Sequence, residues 1–246
     1  MTRLVQRPRG VFITGTDTGV GKTIVTATVA TALTQQGVNA GVMKPIVTGL
    51  AESKAGLSDP DWLISKTGVG DSPALISPYR FQIAASPLVA AAPTGVPIDI
   101  EHIIRAFQAL SDQHDCILVE GIGGVMVPLT TDLFVVDLMK HMNLPVLVVA
   151  RSGLGSINHT LLTLDCLRSR GVRILGLVFN AAARPPADAD LSETIPTILR
   201  LSGVRSFGEL PYCEGLPQSW DQHCNTLIAR LDVPGLMDAL GLRGLA

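Results

Sequence analysis

The chain is short of charge, short of aromatics and without a long apolar run, and each shortage narrows what it can be. Of its 246 residues, 16% are charged and 4% aromatic. Lys and Arg number 19 against 21 Asp and Glu, a formal net charge of −2. A protein whose main task is gripping nucleic acid needs a basic face for the phosphates, so that class is not expected. The aliphatic strings are brief, such as Leu-Pro-Val-Leu-Val-Val-Ala at 144–150, far below the ~20 residues of a membrane-spanning helix. Arg3, Arg7 and Arg9 precede only Val11-Phe12-Ile13 before polar residues begin, which is too little apolar length for a secretory signal. The cysteines, at 116, 166, 213 and 224, form no C-x-x-C pair, so neither a disulfide framework nor a zinc ribbon is expected. The histidines are scattered without ligand spacing. These absences describe a soluble, cytoplasmic protein with no membrane or nucleic-acid partner.

What the chain does have is aliphatic residues and glycine: 47% of it is hydrophobic, and glycines number 24. The apolar residues fall in short runs that alternate with helical patterns. Strands are expected at 10–14, 38–43, 115–119, 145–150, 172–179 and near 205–210. Each is apolar almost throughout, as in strands covered on both faces. Helices are expected at 22–35, 100–110, 133–142, 156–170 and 188–201. In the second of these, Ile100, Ile103, Ile104, Phe107 and Leu110 make one apolar stripe. Strand-helix alternation implies an α/β fold, an open and mostly parallel sheet flanked by helices. The stretch 45–97, rich in Gly, Pro, Ser and Asp, breaks the rhythm and reads as a binding elaboration above the sheet. Residues 181–188 read as a flexible loop, and no linker divides the chain, so a single domain is expected over 1–246.

The most informative local pattern is 15–23, Gly-Thr-Asp-Thr-Gly-Val-Gly-Lys-Thr. It follows an expected strand and opens an expected helix, the setting of a phosphate-binding loop. There, successive backbone N–H groups and the helix start cradle phosphate oxygens. Lys22 would reach the terminal phosphates and the Thr23 hydroxyl would hold Mg²⁺. The first glycine stands at 15, where the general pattern wants one at 16. Dinucleotide fingerprints fail: Gly19-Val20-Gly21 leads to Ile24, and Gly153-Leu154-Gly155 leads to Asn158.

In a parallel sheet, ligands bind at the carboxyl ends of the strands. The residues placed there are Lys44-Pro45 with Thr48-Gly49, Glu120-Gly121-Ile122-Gly123-Gly124, and Asn180. Glu120, closing an apolar strand, is placed to direct Mg²⁺. Asp59 and Asp61 flank the start of a short helical pattern, 62–66, and either could instead cap it. Mg²⁺ takes one or two carboxylates plus phosphate oxygens, which suits Glu120 with Asp61. Lys44, ending a buried strand, reads as a cation aimed at anionic intermediates.

These pieces together resemble the dethiobiotin synthetase family of P-loop NTPase-like ligases. The resemblance is carried by 14–23, by Lys44-Pro45-Ile46-Val47-Thr48-Gly49, by Ser86-Pro87 and by 119–124. It continues through Gly155-Ser-Ile-Asn-His-Thr-Leu-Leu-Thr163, through 176–180 and through Gly208-Glu-Leu-Pro211. The resemblance implies ATP-dependent joining of CO₂ to 7,8-diaminopelargonic acid, through a carbamate and a carbamic-phosphoric anhydride, to close a cyclic urea and release ADP and phosphate. It implies Lys44 and Lys22 as catalytic residues and Thr23, Asp61 and Glu120 as Mg²⁺ positions. Gly19, Val20, Gly21, Lys22, Thr23, Ile24, Asp61, Glu120, Gly121, Ile122, Gly123, Asn180 and Pro211 would contact ATP. Thr18, Lys44, Thr48, Ser86 and Asn158 would contact the diamine, and a homodimer would bring the substrate near its interface. This chain departs from the pattern at Gly19, where some members carry an acidic residue, and at Ile122, where alanine is common. Past Pro211 the likeness fades.

Two other classes fit a phosphate loop. A partitioning or switch ATPase often carries a second loop lysine, and 15–23 holds only Lys22; a GTPase would show N-K-x-D, whereas Asn180 precedes three alanines. Another ATP-dependent ligase of the same fold is the nearer alternative.

Overall fold

The structure, a computed structural model, describes residues 10–52, 57–184 and 191–243. β1 (Gly10–Gly15) leads through α1 (Lys22–Gln35) to β2 (Ala40–Met43). The stretch that follows holds β3 (Ile46–Val47), α2 (Asp59–Thr67), α3 (Pro73–Ile76), β4 (Tyr79–Arg80) and α4 (Pro87–Ala91). The alternation then resumes with α5 (Ile100–Ser111), β5 (Cys116–Gly124), α6 (Val135–Met142), β6 (Val146–Arg151), α7 (Ser156–Ser169), β7 (Ile174–Asn180), α8 (Thr194–Ser202) and β8 (Ser206–Leu210). Two helices, α9 (Trp220–Ile228) and α10 (Val233–Leu240), complete the described chain.

Six strands form one sheet in the order β2-β5-β1-β6-β7-β8, and every neighbouring pair is parallel. Period-two alternation sends Phe12, Ile117 and Val119 to one face and Val11, Ile13, Cys116 and Leu118 to the other, each face meeting its own helical layer. One layer includes α5, whose Ile100, Ile103, Phe107 and Leu110 are buried and whose start is capped by the Asp99 carboxylate accepting from the Glu101 N–H. The other includes α1, which is buried nearly all round because α2, α9 and α10 cover it.

The chain leaves β1 toward β2 on one side and later crosses from β5 to β6 on the other. The carboxyl end of β1 therefore opens where the strand order reverses, which is where parallel sheets bind ligands. Among the described residues, no helix is long and apolar enough to cross a membrane.

The expected strands and helices are found with shifted ends. The loop expected at 181–188 and the start of the helix expected at 188–201 fall partly outside the described residues; α8 begins at Thr194. β5 does not stop at 119 but runs on to Gly124, so Glu120 lies inside the strand. Its register against β1 shifts between Ile13 and Gly15, which pairs Gly15 with Gly124. A strand that is mostly glycine after Glu120 can follow that shift without side chains in the way. Within the 45–97 stretch, read as a binding elaboration, β3 and β4 pair in parallel as a small second sheet beside β2's exit.

Candidate functional site

The phosphate-type loop joins β1 to α1 as expected. Gly21 sits at the cap position with φ 92°, a left-handed conformation that glycine adopts freely. A Cβ there would also collide with the Asn180 amide nitrogen. Asn180, ending β7, donates that amide to the Val20 carbonyl at 2.9 Å. Val20 itself is fully buried, so its side chain anchors the loop in the core and only its backbone faces outward. The Thr16 N–H donates to the Val149 carbonyl at 3.0 Å, and Arg151 donates to the Thr18 carbonyl at 3.1 Å, tying the loop to β6.

Beside the loop lies a cluster of buried charge. Glu120 has a fully buried side chain, and its Oε1 accepts from the Thr23 hydroxyl at 2.8 Å and from Lys44 Nζ at 2.7 Å. Lys44, also buried, donates a second bond to the Asp59 carboxylate. Burial alone would depress the Lys44 ammonium, but Glu120 and Asp59 outweigh it and hold the group above its ordinary value. Lys22 lacks such close partners: its Nζ donates to the Asp17 carbonyl at 2.9 Å, and burial lowers it to about 8. Glu120 Oε2 is buried with no hydrogen-bond partner among the described residues. A buried carboxylate oxygen left unpaired is costly, so this one is an acceptor waiting for a ligand's donor or a cation.

These groups open into a crevice of about 570 Å³. Its floor is Thr18, Gly19, Gly21, Lys22, Thr23 and Ile24, with Lys44, Glu120, Gly121, Ile122, Gly123 and Asn180. One wall comes from Val47, Thr48, Leu57, Asp59 and Trp62, the other from Pro211, Tyr212, Cys213, Leu216 and Pro217. A second hollow of about 610 Å³ lies at the amino ends of the strands. Its Lys140, Arg173 and Asp238 are exposed, and among the described residues no buried polar group converges there.

Four expected site residues stand apart. Val20 contributes backbone only. Ser86 is the N-cap of α4 and does not line the crevice. Asn158 is exposed on α7, because Ser156, Thr160 and Thr163 turn that helix's buried stripe the other way. Asp61 is the fourth: it does not line the crevice, whereas Asp59 does. The N-cap of α2 is Ser58, and Pro60 pre-sets the first turn. Asp59 and Asp61 then lie two residues apart on a helix, roughly 200° around its axis. One faces Lys44; the other is held by Arg80 through two bonds, of 3.0 and 2.6 Å. The Arg80 hydrogen bonds keep the Asp61 carboxyl below its ordinary value. Spacing alone could not choose between the two aspartates, and neither Arg80 nor the wall residue Trp62 carried a motif that would single it out.

The chain is similar to known proteins along most of its length. The sequence profile described as "AAA domain" matches residues 9–219. The ATP-dependent dethiobiotin synthetase of Thermodesulfovibrio yellowstonii is 41% identical over 239 residues, covering 93% of this chain and 98% of that protein. The ATP-dependent dethiobiotin synthetase of Bacillus licheniformis is 39% identical over 210 residues, covering 84% and 87%. Among solved structures, the MinC:MinD cell division protein complex of Aquifex aeolicus superposes with TM-score 0.55 at 16% identity, covering 95% of this chain and 94% of that one. A ParA family ATPase from Chlorobium tepidum gives TM-score 0.51 at 17% identity, covering 97% of each chain. At such identity the structural likeness speaks for the P-loop NTPase fold and no further.

Proposed function

The chain belongs to the ATP-dependent dethiobiotin synthetase family, and on that premise we propose that it carboxylates 7,8-diaminopelargonic acid and closes the cyclic urea of dethiobiotin, in the cytoplasm, with ATP as co-substrate. The observation that carries this reading is the buried Lys44–Glu120–Thr23 cluster set against the phosphate-type loop and Lys22.

The chemistry explains why such a cluster is useful. CO₂ adds to one amine of the diamine, which loses a proton and becomes a carbamate. A carbamate oxygen attacks the terminal phosphorus of ATP, forming a carbamic-phosphoric anhydride and releasing ADP. The neighbouring amine attacks the carbamoyl carbon, and phosphate leaves as the ring closes. Each stage concentrates negative charge, so catalysis needs positioning and cations more than a covalent nucleophile. Lys44, kept charged by its two carboxylates, is placed to hold the carbamate and the transferring phosphoryl group. Lys22 leaves the Asp17 carbonyl to share the phosphate charge. Thr18 and Thr48, both on the crevice surface, contact the diamine. Gly19, Gly21 and the 120–123 backbone approach the nucleotide, with Asn180 and Pro211 at its base.

The donor set also fits Mg²⁺, which would neutralise phosphate charge. The unpaired Glu120 Oε2 and the Thr23 hydroxyl would hold it, with Asp59 as the nearer second carboxylate. Among the described residues, no three His, Cys, Asp or Glu side chains gather into a cation cage. A cation that shares its shell with phosphate oxygens and water needs none.

Asn158 would join the diamine's carboxylate end from a second copy of the chain, and Ser86 from the N-cap of α4. Leu154 is 96% exposed and Leu162 61% exposed. Leu162 follows Asn158 by one helical turn, so a homodimer would cover an apolar stripe and Asn158 together. A partitioning ATPase has only the fold in its support.

The test supplies the protein with ATP, Mg²⁺, bicarbonate and 7,8-diaminopelargonic acid and looks for dethiobiotin by mass. Absence of diamine-dependent ADP release would overturn the reading. Light scattering after size exclusion should give twice the chain mass; a monomer would remove the homodimer.

A further inference from the structure

Arg80 lies outside the crevice lining, yet it binds to both ends of the segment that carries Asp59. Its Nη1 donates to Asp61 Oδ1 at 3.0 Å, and its Nη2 to Asp61 Oδ2 at 2.6 Å and to the Ser58 hydroxyl at 3.1 Å. Ser58 in turn donates to Asp61 Oδ2. A planar guanidinium bound to both oxygens of one carboxylate fixes that carboxylate's direction as well as its charge. Ser58 is the N-cap and Asp61 is in the first turn of α2, so the grip sets how that turn is rotated.

The same residue is located by the strand that leaves Lys44. Val47 pairs with Arg80 across β3 and β4. The Tyr79 N–H donates to the Pro45 carbonyl at 3.1 Å and the Phe81 N–H to the Val47 carbonyl at 2.8 Å, one residue on each side of Arg80. Backbone running from Lys44 therefore aims Arg80 at α2, and α2 returns Asp59 to Lys44. The circuit is closed.

We infer that Arg80 is a positioning residue that selects between two carboxylates: by occupying Asp61 it keeps that group from Lys44 and turns Asp59 inward beside Glu120. Two aspartates roughly 200° apart on one helix cannot both face the crevice. Without Arg80, the Asp61 carboxylate keeps only the Ser58 hydroxyl, and the first turn of α2 loses the grip that sets its rotation, so Asp61 can turn toward Lys44 as Asp59 withdraws. The role rests on the proposed ligase reading, since it acts on the charge that surrounds the reacting phosphoryl group.

The experiment compares Arg80→Met, Arg80→Lys, Asp61→Asn, Asp59→Asn and the double variant Arg80→Met with Asp61→Asn. Thermal melting first establishes that each folds. A displaced catalytic group costs up to about 100-fold, and Arg80→Met is expected to lower kcat for diamine-dependent ADP release by about that factor while ATP affinity changes less than about threefold. The double variant should regain most of the loss, because the competing carboxylate is gone; Arg80→Lys should fall between. Asp59→Asn should lose at least about tenfold more turnover than Asp61→Asn. An Arg80→Met enzyme with unchanged kcat, a double variant no better than Arg80→Met, or Asp61→Asn as damaging as Asp59→Asn would each overturn the inference. A crystal structure of Arg80→Met tests the same role without reference to turnover. Asp61 at Lys44, or Asp59 withdrawn, supports the role, whereas Asp59 still bonded to Lys44 removes it. If the unaltered protein makes no dethiobiotin, the ligase reading fails while this structural outcome still decides the role of Arg80.

Discussion

Asn180 and Val20, 160 positions apart in sequence, meet in a buried bond of 2.9 Å from amide to carbonyl. That bond places the Asn180 side chain directly over the α-carbon of Gly21 and leaves no room for a methyl group there. Gly21→Ala would meet both this contact and a left-handed φ, whose strain alone is about 1 to 2 kcal/mol. Loss of ATP binding by more than about tenfold, measured calorimetrically, is the expected result. Gly19→Ala is the comparison. Its φ is 70° but nothing lies within 4 Å of a Cβ, so it should bear the backbone strain and keep more of the affinity.

Lys44→Gln separates binding from chemistry. The crevice floor that meets the nucleotide remains, so ATP should still bind. Turnover should fall by about 100-fold or more, the scale of losing a charge aimed at a reacting group. A near-normal rate would make Lys44 a bystander.

Lys22 predicts a pH signature. Burial lowers it from 10.5 to about 8. Between those values the unfolded chain holds a proton that the folded one lacks, so this group alone makes the fold gain stability as pH rises from about 8 to 10.5. Nucleotide binding works in the opposite direction. A polyphosphate beside Lys22 favours the ammonium, so binding at about pH 8 to 9 should take up a proton, and affinity should weaken as pH climbs past about 8. Calorimetry in two buffers of different ionisation enthalpy measures the uptake. Zero uptake would place the phosphates away from Lys22.

The two tryptophans of the chain stand edge to face with centroids 5.3 Å apart, Trp62 on the crevice wall and Trp220 behind it. Nucleotide should therefore change the emission of a Trp220→Phe protein, which retains Trp62. A Trp62→Phe protein should respond less, because Trp220 is 2% exposed and shielded by its neighbours. Equal responses would mean the whole α2–α9 contact moves.

Much of this was written locally in the chain. Alternating apolar runs specify strands and helices because burial on both faces demands them, and the 15–23 loop declares itself because phosphate binding uses backbone and glycine, which are sequence-local. Lys44, Glu120 and Asn180 could be placed beside Lys22 and Thr23 of the loop from strand ends, since a parallel sheet brings those ends to one edge. The tertiary structure decided what periodicity cannot. It extended β5 through Glu120, where glycines follow a register shift. It left Asn158 on the outer side of α7 and built the second crevice wall from Tyr212 to Pro217. It also turned Asp59 rather than Asp61 to Lys44, because the rotation of a helix is set by what grips it from outside, and that grip comes from Arg80 on a strand 19 residues away.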